Sequence, residues 1–416
     1  MNIKDILEKN YSSEKNIQNL NLDQEKSHPA SIFGRKHIGN VEISPKILKS
    51  IENIIENSHK PSIHSSLMKM YASLRSSQTI KRKLSAIDTD AYLLGIMPQI
   101  YASLYNVINE LRMRLGNKWV PETVLDCGVG PGIGALVFQE LFEDSIEKVK
   151  DILVIESAYT VRQRAFYIHK GNKSKILSNI PSTIDSKFNF IIANHTILDI
   201  NTSNHIFAAH IKKLWDKLSS EDGILLLLER GNPMGYKAIA RARQMILSGF
   251  NFTLKKSSEY VETGHIISPC SHDKKCPLFT NGHLSNRKKW CHFSQKLIRP
   301  EYLQKIKNSP YNIEDANYSY CIIRKGVYRP VLDLKTSLNE DVLFYDSYNW
   351  PRLIFPPLKK HGHVIMDVCA SNGSIQRLIV SKNQGKIAYR DARKIHWGDL
   401  WALGSLFFSE KNKNLE

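Results

Sequence analysis

Three of the chain's six cysteines, Cys270, Cys276 and Cys291, fall within residues 265–292, together with His265, His272, His283 and His292. Thiolate and imidazole are the side chains that hold transition metals, so this density points to metal ligation. The spacing is C-x5-C-x14-C, unlike the C-x2-C of a zinc ribbon. Zinc could take the three thiols plus His272 or His292. An iron–sulfur cluster would want four thiolates, and the fourth must then come from elsewhere in the chain. Cys369, at the end of a strand-like run just before Asn372-Gly373, is the best placed. The plainer alternative is buried structural cysteines beside a basic RNA-binding loop.

A second chemical signal is Asp126-Cys127-Gly128-Val129-Gly130-Pro131-Gly132-Ile133-Gly134. It follows a short apolar strand and opens a helical pattern. Glycines there let a ligand approach the backbone, and the helix start is electropositive. A dinucleotide fingerprint counted from Gly128 would need glycine at 133, which is Ile. The D-x-G-x-G-x-G spacing instead resembles motif I of the S-adenosylmethionine-dependent methyltransferases. In that family an acid at the tip of the next strand binds the cofactor's ribose, and Glu156 stands in that place. The resemblance implies cofactor contacts from Asp126, Gly128, Gly130, Gly132 and Glu156. No catalytic residue emerges. The segment after the fourth strand, Asn194-His195-Thr196-Ile197-Leu198, lacks the Asn/Asp-Pro-Pro-aromatic motif of amino-methyltransferases. Cys127 and Cys321 are expected to be packed core residues.

The charge balance names a partner class. Of 416 residues, 58 are Lys or Arg and 40 are Asp or Glu, a formal net charge of +18. Such a balance favours a polyanion, usually nucleic acid. Lys255, Lys256, Lys274, Lys275, Arg287, Lys288 and Lys289 gather in or near the Cys/His segment. Lys359, Lys360, Arg377, Lys382, Lys386, Arg390, Arg393 and Lys394 gather near the C-terminus, with Trp290, Tyr389, Trp397 and Trp401 interleaved. Cations grip phosphates and aromatics stack on unpaired bases. Six cysteines exclude a disulfide-stapled scaffold. No run approaches the roughly 18 apolar residues of a spanning helix. The first 27 residues have no Arg and carry five acids, so no transit peptide is legible there.

The elements that must position these residues follow from periodicity. Residues 1–40 are polar and suggest a flexible arm. Residues 41–118 carry apolar residues at three- and four-residue spacing, a helical region. From 119 to 330 strands and helices alternate, which predicts a parallel sheet covered on both faces. Residues 261–300 interrupt that alternation as an insert. Residues 345–405 read as a small β module, with Asn372-Gly373 as its hairpin turn.

More specific motifs stand in the C-terminal half: Pro269-Cys270-Ser271-His272-Asp273, Trp290-Cys291-His292-Phe293, Trp350-Pro351-Arg352-Leu353 and Trp397-Gly398-Asp399-Leu400-Trp401. Together with Glu229-Arg230-Gly231-Asn232-Pro233 they resemble the methyltransferase-like family of the mitochondrial small ribosomal subunit, which has bacterial relatives. The match runs from about 90 to 402. It implies an α/β fold, specifically a Rossmann-like methyltransferase fold with an N-terminal helical region, a metal-binding insert and a C-terminal β module. It also implies a 4Fe–4S cluster on Cys270, Cys276, Cys291 and Cys369, with zinc as the alternative. Small-subunit ribosomal RNA and ribosomal proteins are the implied partners, and the mitochondrial matrix the implied compartment. A monomer acting on the subunit is expected. An active S-adenosylmethionine-dependent RNA methyltransferase is the second reading.

Overall fold

The computed structural model describes residues 28–75, 84–116, 119–180, 187–197, 204–250, 263–280, 283–285, 289–326, 329–330 and 339–403. The arm through residue 27, Leu198, Lys255, Lys256, Arg287 and Lys288 lie outside the described residues.

Apolar runs of strand length build a central sheet. Its strands are β1 (Asn40–Val41), β2 (Thr123–Asp126), β3 (Asp151–Ile155), β4 (Ser174–Leu177), β5 (Phe190–Asn194), β6 (Ile224–Arg230), β7 (Gly264–Ser268), β10 (Phe293–Ile298) and β11 (Ile313–Lys325). Between β7 and β10 lies a small hairpin of β8 (Phe279–Thr280) and β9 (His283–Leu284). The sheet order is β4-β3-β2-β5-β6-β11-β10-β1. From β4 to β6 every pairing is parallel, and β11 runs antiparallel to both its neighbours.

Continuous burial along β5 and β6 is what a parallel sheet with two covered faces requires. Successive residues serve opposite cores. Leu226 and Leu228 face a core shared with the helices Met97–Leu115 and Ile133–Leu141. Leu225 and Leu227 face another, shared with Trp215 and Ile239 of the helices Asn204–Asp216 and Pro233–Leu247. The N-terminal helices Pro45–Glu56, Lys60–Arg75 and Ala86–Gly95 join the first core. A Ser85–Asp88 capping box starts the last of these.

β7 and β10 occupy one edge of β11 in succession: Ile313 to Tyr318 pairs with β10, and Ile322 to Lys325 with β7. They act as one interrupted strand. The insert is therefore shorter than 261–300. Residues 264–268 and 293–298 belong to the sheet, because Ile266, Ile267, Phe293 and Leu297 bury their side chains against it.

The C-terminal sheet has β12 (Arg352–Leu353), β13 (Leu358–Lys359), β14 (His363–Cys369) and β15 (Ile375–Ser381). β14 pairs with β12 and β13 along one edge and with β15 along the other. The expected hairpin turns at Asn372-Gly373, where Gly373 has φ +83°. The helix Lys386–Lys394 covers the sheet, with Val364, Met366, Val368, Ala388 and Trp401 as a small core.

Residues 28–40 depart from the expectation of a free arm. A short helix, Pro29–Phe33, and β1 dock on the body. The cause is an ionic cluster. Lys36 is buried and pairs with Glu110, whose carboxylate also accepts from Arg352 Nη2, Ser268 Oγ and Tyr320 OH, each at 2.6 Å. Burial opposes the charge on Glu110, but Arg352 and Lys36 hold it well below the usual carboxylate range. Burial lowers Lys36 to about 8, against the pull of Glu110. Removing one member of such a set strands the other charges. Glu110→Ala is expected to cost about 3–5 kcal/mol, read as a lower denaturant midpoint.

Candidate functional site

Two sites take shape, one at the glycine loop and one at the insert. At the first, β2 ends in Asp126, which is buried. Its Oδ1 accepts from Gly128 N at 2.9 Å and its Oδ2 from Ala135 N at 2.8 Å. It thus ties both ends of the loop, and burial raises its carboxyl to about 6. Gly132 takes the left-handed conformation as the N-cap of the helix Ile133–Leu141. A Cβ there would meet Val154 at 2.6 Å and His169 Nε2 at 2.9 Å. At Gly128 a Cβ would lie 1.8 Å from Asn194 Nδ2. The glycines are therefore set by close packing as well as by conformation.

Glu156 sits just past the tip of β3, next to the loop as expected. Its Oε2 accepts from Gly130 N at 3.2 Å and its Oε1 from Ala158 N at 2.7 Å. Burial raises its carboxyl above the usual range. Residues 127–130 and Glu156 line a cavity of about 590 Å³, within the usual range for small-molecule sites. Tyr92 closes one side and donates to Val129 O at 3.0 Å. At the end of β5, Asn194 is buried beneath Gly128, outside the cavity lining, with no hydrogen-bond partner for either side-chain atom among the described residues. Thr196 Oγ1, on the cavity wall, is also unpartnered. An orphaned polar atom on that wall suits a polar cofactor. His195 has φ +54° and lies 3.8 Å from Glu229. Burial, with Arg230 adding to it, lowers its imidazole to about 3, so it stays neutral.

The second site is a small cavity walled by Cys270, Cys276, Cys291 and Cys369, with Pro269, Pro277, Leu278, Arg352 and Ile354. Three thiols come from the insert and the fourth from the end of β14. No histidine is among these lining residues. His272 touches the Cys369 sulfur, Nε2 to Sγ 3.3 Å, and Tyr236 OH lies 3.1 Å from Cys276 Sγ. His292 stacks on Trp290 and packs against Trp397 instead. Arg243 donates to His272 O at 2.8 Å, and Arg352 to Pro269 O at 2.8 Å. Burial pushes the Cys276, Cys291 and Cys369 thiols up, and the neighbouring sulfurs add to it. The thiols are not gathered to single-ion spacing: among the described residues no three His, Cys, Asp or Glu side chains are placed to hold one metal ion. Cys321 lies in the core of β11, and Cys127 is half-buried beside the glycine loop. The roles of Tyr236 and Arg352 were not foreseen. Only proximity in the fold brings them to the sulfurs.

The C-terminal cations Lys382, Lys386, Arg390 and Arg393 are all exposed, the last three at helical spacing on Lys386–Lys394. The interleaved aromatics are not a stacking surface. Trp401 is buried in the small core, and Trp290 and Trp397 are half-buried and packed. Their apolar area is used to fix the module.

Sheet order, glycine loop and acidic strand tip place the protein in the methyltransferase-like class. Among solved structures it is similar to the plantazolicin methyltransferase BpumL, at 14% identity over 68% of this chain and 99% of that one, with a TM-score of 0.29. Residues 86–402 match the family described as mitochondrial small ribosomal subunit Rsm22, and the chain belongs to that family. Its relatives include the Rsm22-cox11 tandem protein 2, mitochondrial, of Schizosaccharomyces pombe, 30% identical over 89% of this chain and 52% of that protein. The ribosome assembly protein RSM22, mitochondrial, of Saccharomyces cerevisiae is 26% identical over 89% and 76%. The ribosome assembly protein METTL17, mitochondrial, of Homo sapiens is 22% identical over 74% and 61%. The chain spans about half the length of the Schizosaccharomyces pombe relative.

A pH response follows from His169. It is buried behind the loop, and its Nε2 lies 2.7 Å from Pro131 O. Nε2–H donates there, and Nδ1 has no partner among the described residues. Burial lowers its pKa from 6.5 to about 4. The folded form thus favours the neutral ring, and unfolding takes up a proton below pH 6.5. Stability should fall by roughly 3 kcal/mol as pH drops from 6.5 to 4, and His169→Gln should flatten that part of the profile.

Proposed function

We propose that the protein binds small-subunit ribosomal RNA and serves assembly of the mitochondrial small ribosomal subunit, with ribosomal proteins as its other partners. The relatives are all mitochondrial by name. The observation that carries the reading is the exposed cation row of Lys382, Lys386, Arg390 and Arg393, borne on a module that shares a four-thiol cavity with the main sheet. The membership in the Rsm22 family gives that row its natural polyanion. It acts as a monomer on the subunit, and no described helix is long and apolar enough to cross a membrane.

The four thiols fit a 4Fe–4S cluster, since four cysteines and no histidine line their cavity. Bound there, the cluster would tie the insert to β14 and add to folding free energy. Its nearby cations, Arg352 and Arg243, offset thiolate charge. Zinc on the same thiols is the alternative occupant, and it would need the four sulfurs drawn closer together. At the other site, Glu156, the glycine loop and the unpartnered Thr196 hydroxyl on the cavity wall fit S-adenosylmethionine. The cavity there favours a second reading, an active RNA methyltransferase. Against it stands the missing Asn/Asp-Pro-Pro-aromatic motif after β5. Transfer of a labelled methyl group to ribosomal RNA would reverse the order.

Two measurements test the proposal. Protein purified without oxygen should contain iron and sulfide, and Cys369→Ser should release both and loosen the C-terminal sheet. Zinc without sulfide would replace the cluster by an ion. For RNA, the logarithm of affinity should fall with log salt by roughly 0.7–0.9 per phosphate contact. Changing Lys382, Lys386, Arg390 and Arg393 to Ala together should flatten that slope by up to about three units. An unchanged slope would move the RNA surface elsewhere.

A further inference from the structure

The helix Tyr159–Ile168 begins three residues after Glu156 and carries a row of exposed rings. Tyr159 is 65% exposed, Phe166 57% and Tyr167 62%. With Gln163, also exposed, they fall at positions i, i+4, i+7 and i+8 of the helix, and the exposed Lys170 lies two residues past its end. The four helical positions form one stripe, about 12 Å long. Soluble proteins rarely leave three neighbouring aromatics in water without a use.

The charge around the stripe says what covers it. From residue 157 to 184 the chain carries Arg162, Arg164, Lys170, Lys173 and Lys175 and no Asp or Glu. Arg164 pairs with Asp90 and Lys175 with Asp151. Lys170 and Lys173 pair with no carboxylate among the described residues. Arg162 lies over the Tyr159 ring, 5.7 Å from its centroid. Aromatic faces beside unneutralised cations suit bases stacked in an unpaired, phosphate-bearing strand. A protein partner would need an acidic rim to use the cations, whereas an RNA strand brings a phosphate with every base. The first turn also leads to the large cavity, since Ser157, Ala158 and Val161 line it.

We propose that the exposed face of Tyr159–Ile168 is a stacking platform for an unpaired RNA strand at the mouth of the glycine-loop cavity. This rests on the reading that the protein binds RNA, and it adds a single-strand surface separate from the C-terminal cations. Stacking gives affinity with little sequence preference, and the phosphate contacts beside it carry the salt dependence.

The test uses the full chain and a short oligouridylate, single-stranded or paired with oligoadenylate. Tyr159→Ser, Phe166→Ser and Tyr167→Ser together should weaken single-strand binding roughly tenfold or more. Duplex affinity should change little. The side chains are exposed, so the thermal midpoint should hold. Tyr159→Phe with Phe166→Tyr and Tyr167→Phe should restore binding, because any aromatic face stacks. Unchanged single-strand affinity in the serine variant would overturn the platform while leaving RNA binding by the C-terminal cations intact. Equal loss for duplex and single strand would also overturn it. Retained RNA binding with lost binding to isolated ribosomal proteins would assign the stripe to a protein. No RNA binding by the unaltered chain would overturn both this proposal and the one on which it rests.

Discussion

One buried carboxylate organises the distant parts of this chain. Glu110 lies in the C-terminal third of the longest described helix, yet its partners come from the N-terminal segment, the end of β7, the centre of β11 and the first residue of β12. Each partner gives up water to reach it, and that cost is offset only when the whole set is present. Charge pairing here acts as a condition on assembly: the N-terminal segment, helical region, sheet and C-terminal module must all be docked for any one of them to be satisfied. Arg352 extends the condition to the sulfur site. It bonds Glu110 with one nitrogen, Pro269 O with another and Gly398 O with the third, and it lines the cysteine cavity.

Around that hub the two sites divide the work of the fold. The glycine loop is held from within the sheet, by Asp126 beneath it, His169 behind it and Glu156 beside it. The cysteine cavity is held between the sheet and the added module. A parallel sheet supplies ligand sites at the carboxyl ends of its strands, and β2, β3 and β5 follow that rule. The interrupted strand departs from it. By leaving the edge of β11 after Ser268 and returning at Phe293, the chain gains a loop anchored at both ends without disturbing the sheet order.

Much of this was legible in the sequence because it rests on local pattern. The glycine loop, Glu156, the strand rhythm, the Asn372-Gly373 turn and the convergence of Cys369 with the three insert cysteines all follow from spacing or from family motifs. What was hidden depends on distant partners. Lys36 reads as an arm residue, and only Glu110, 74 positions away, makes it a core residue. The insert's edges were misjudged because its flanking strands are short and sit among His and Lys residues. Trp401 looked like an RNA contact, since composition does not reveal which side of a small module a ring faces. Conversely, Tyr159, Phe166 and Tyr167 drew no notice. Their helical spacing in an acid-free stretch was a signal, but exposure was needed to give it meaning.

The division of the cysteine cavity between two separated segments also bears on the order in which the molecule can be completed. Cys369 follows Cys291 by 78 residues. At 5–20 residues per second, synthesis of that interval occupies roughly 4–16 s. During it the first three thiols are present without the fourth, and for most of it Glu110 is present without Arg352. A chain ended before Arg352 leaves both sets open, with three sulfurs lacking the fourth and Glu110 lacking one of its two cationic partners. Closure of the cavity is thus a record that β14 has been made, and a chain that stops short of it exposes what quality-control proteases and thiol-reactive oxidants act upon.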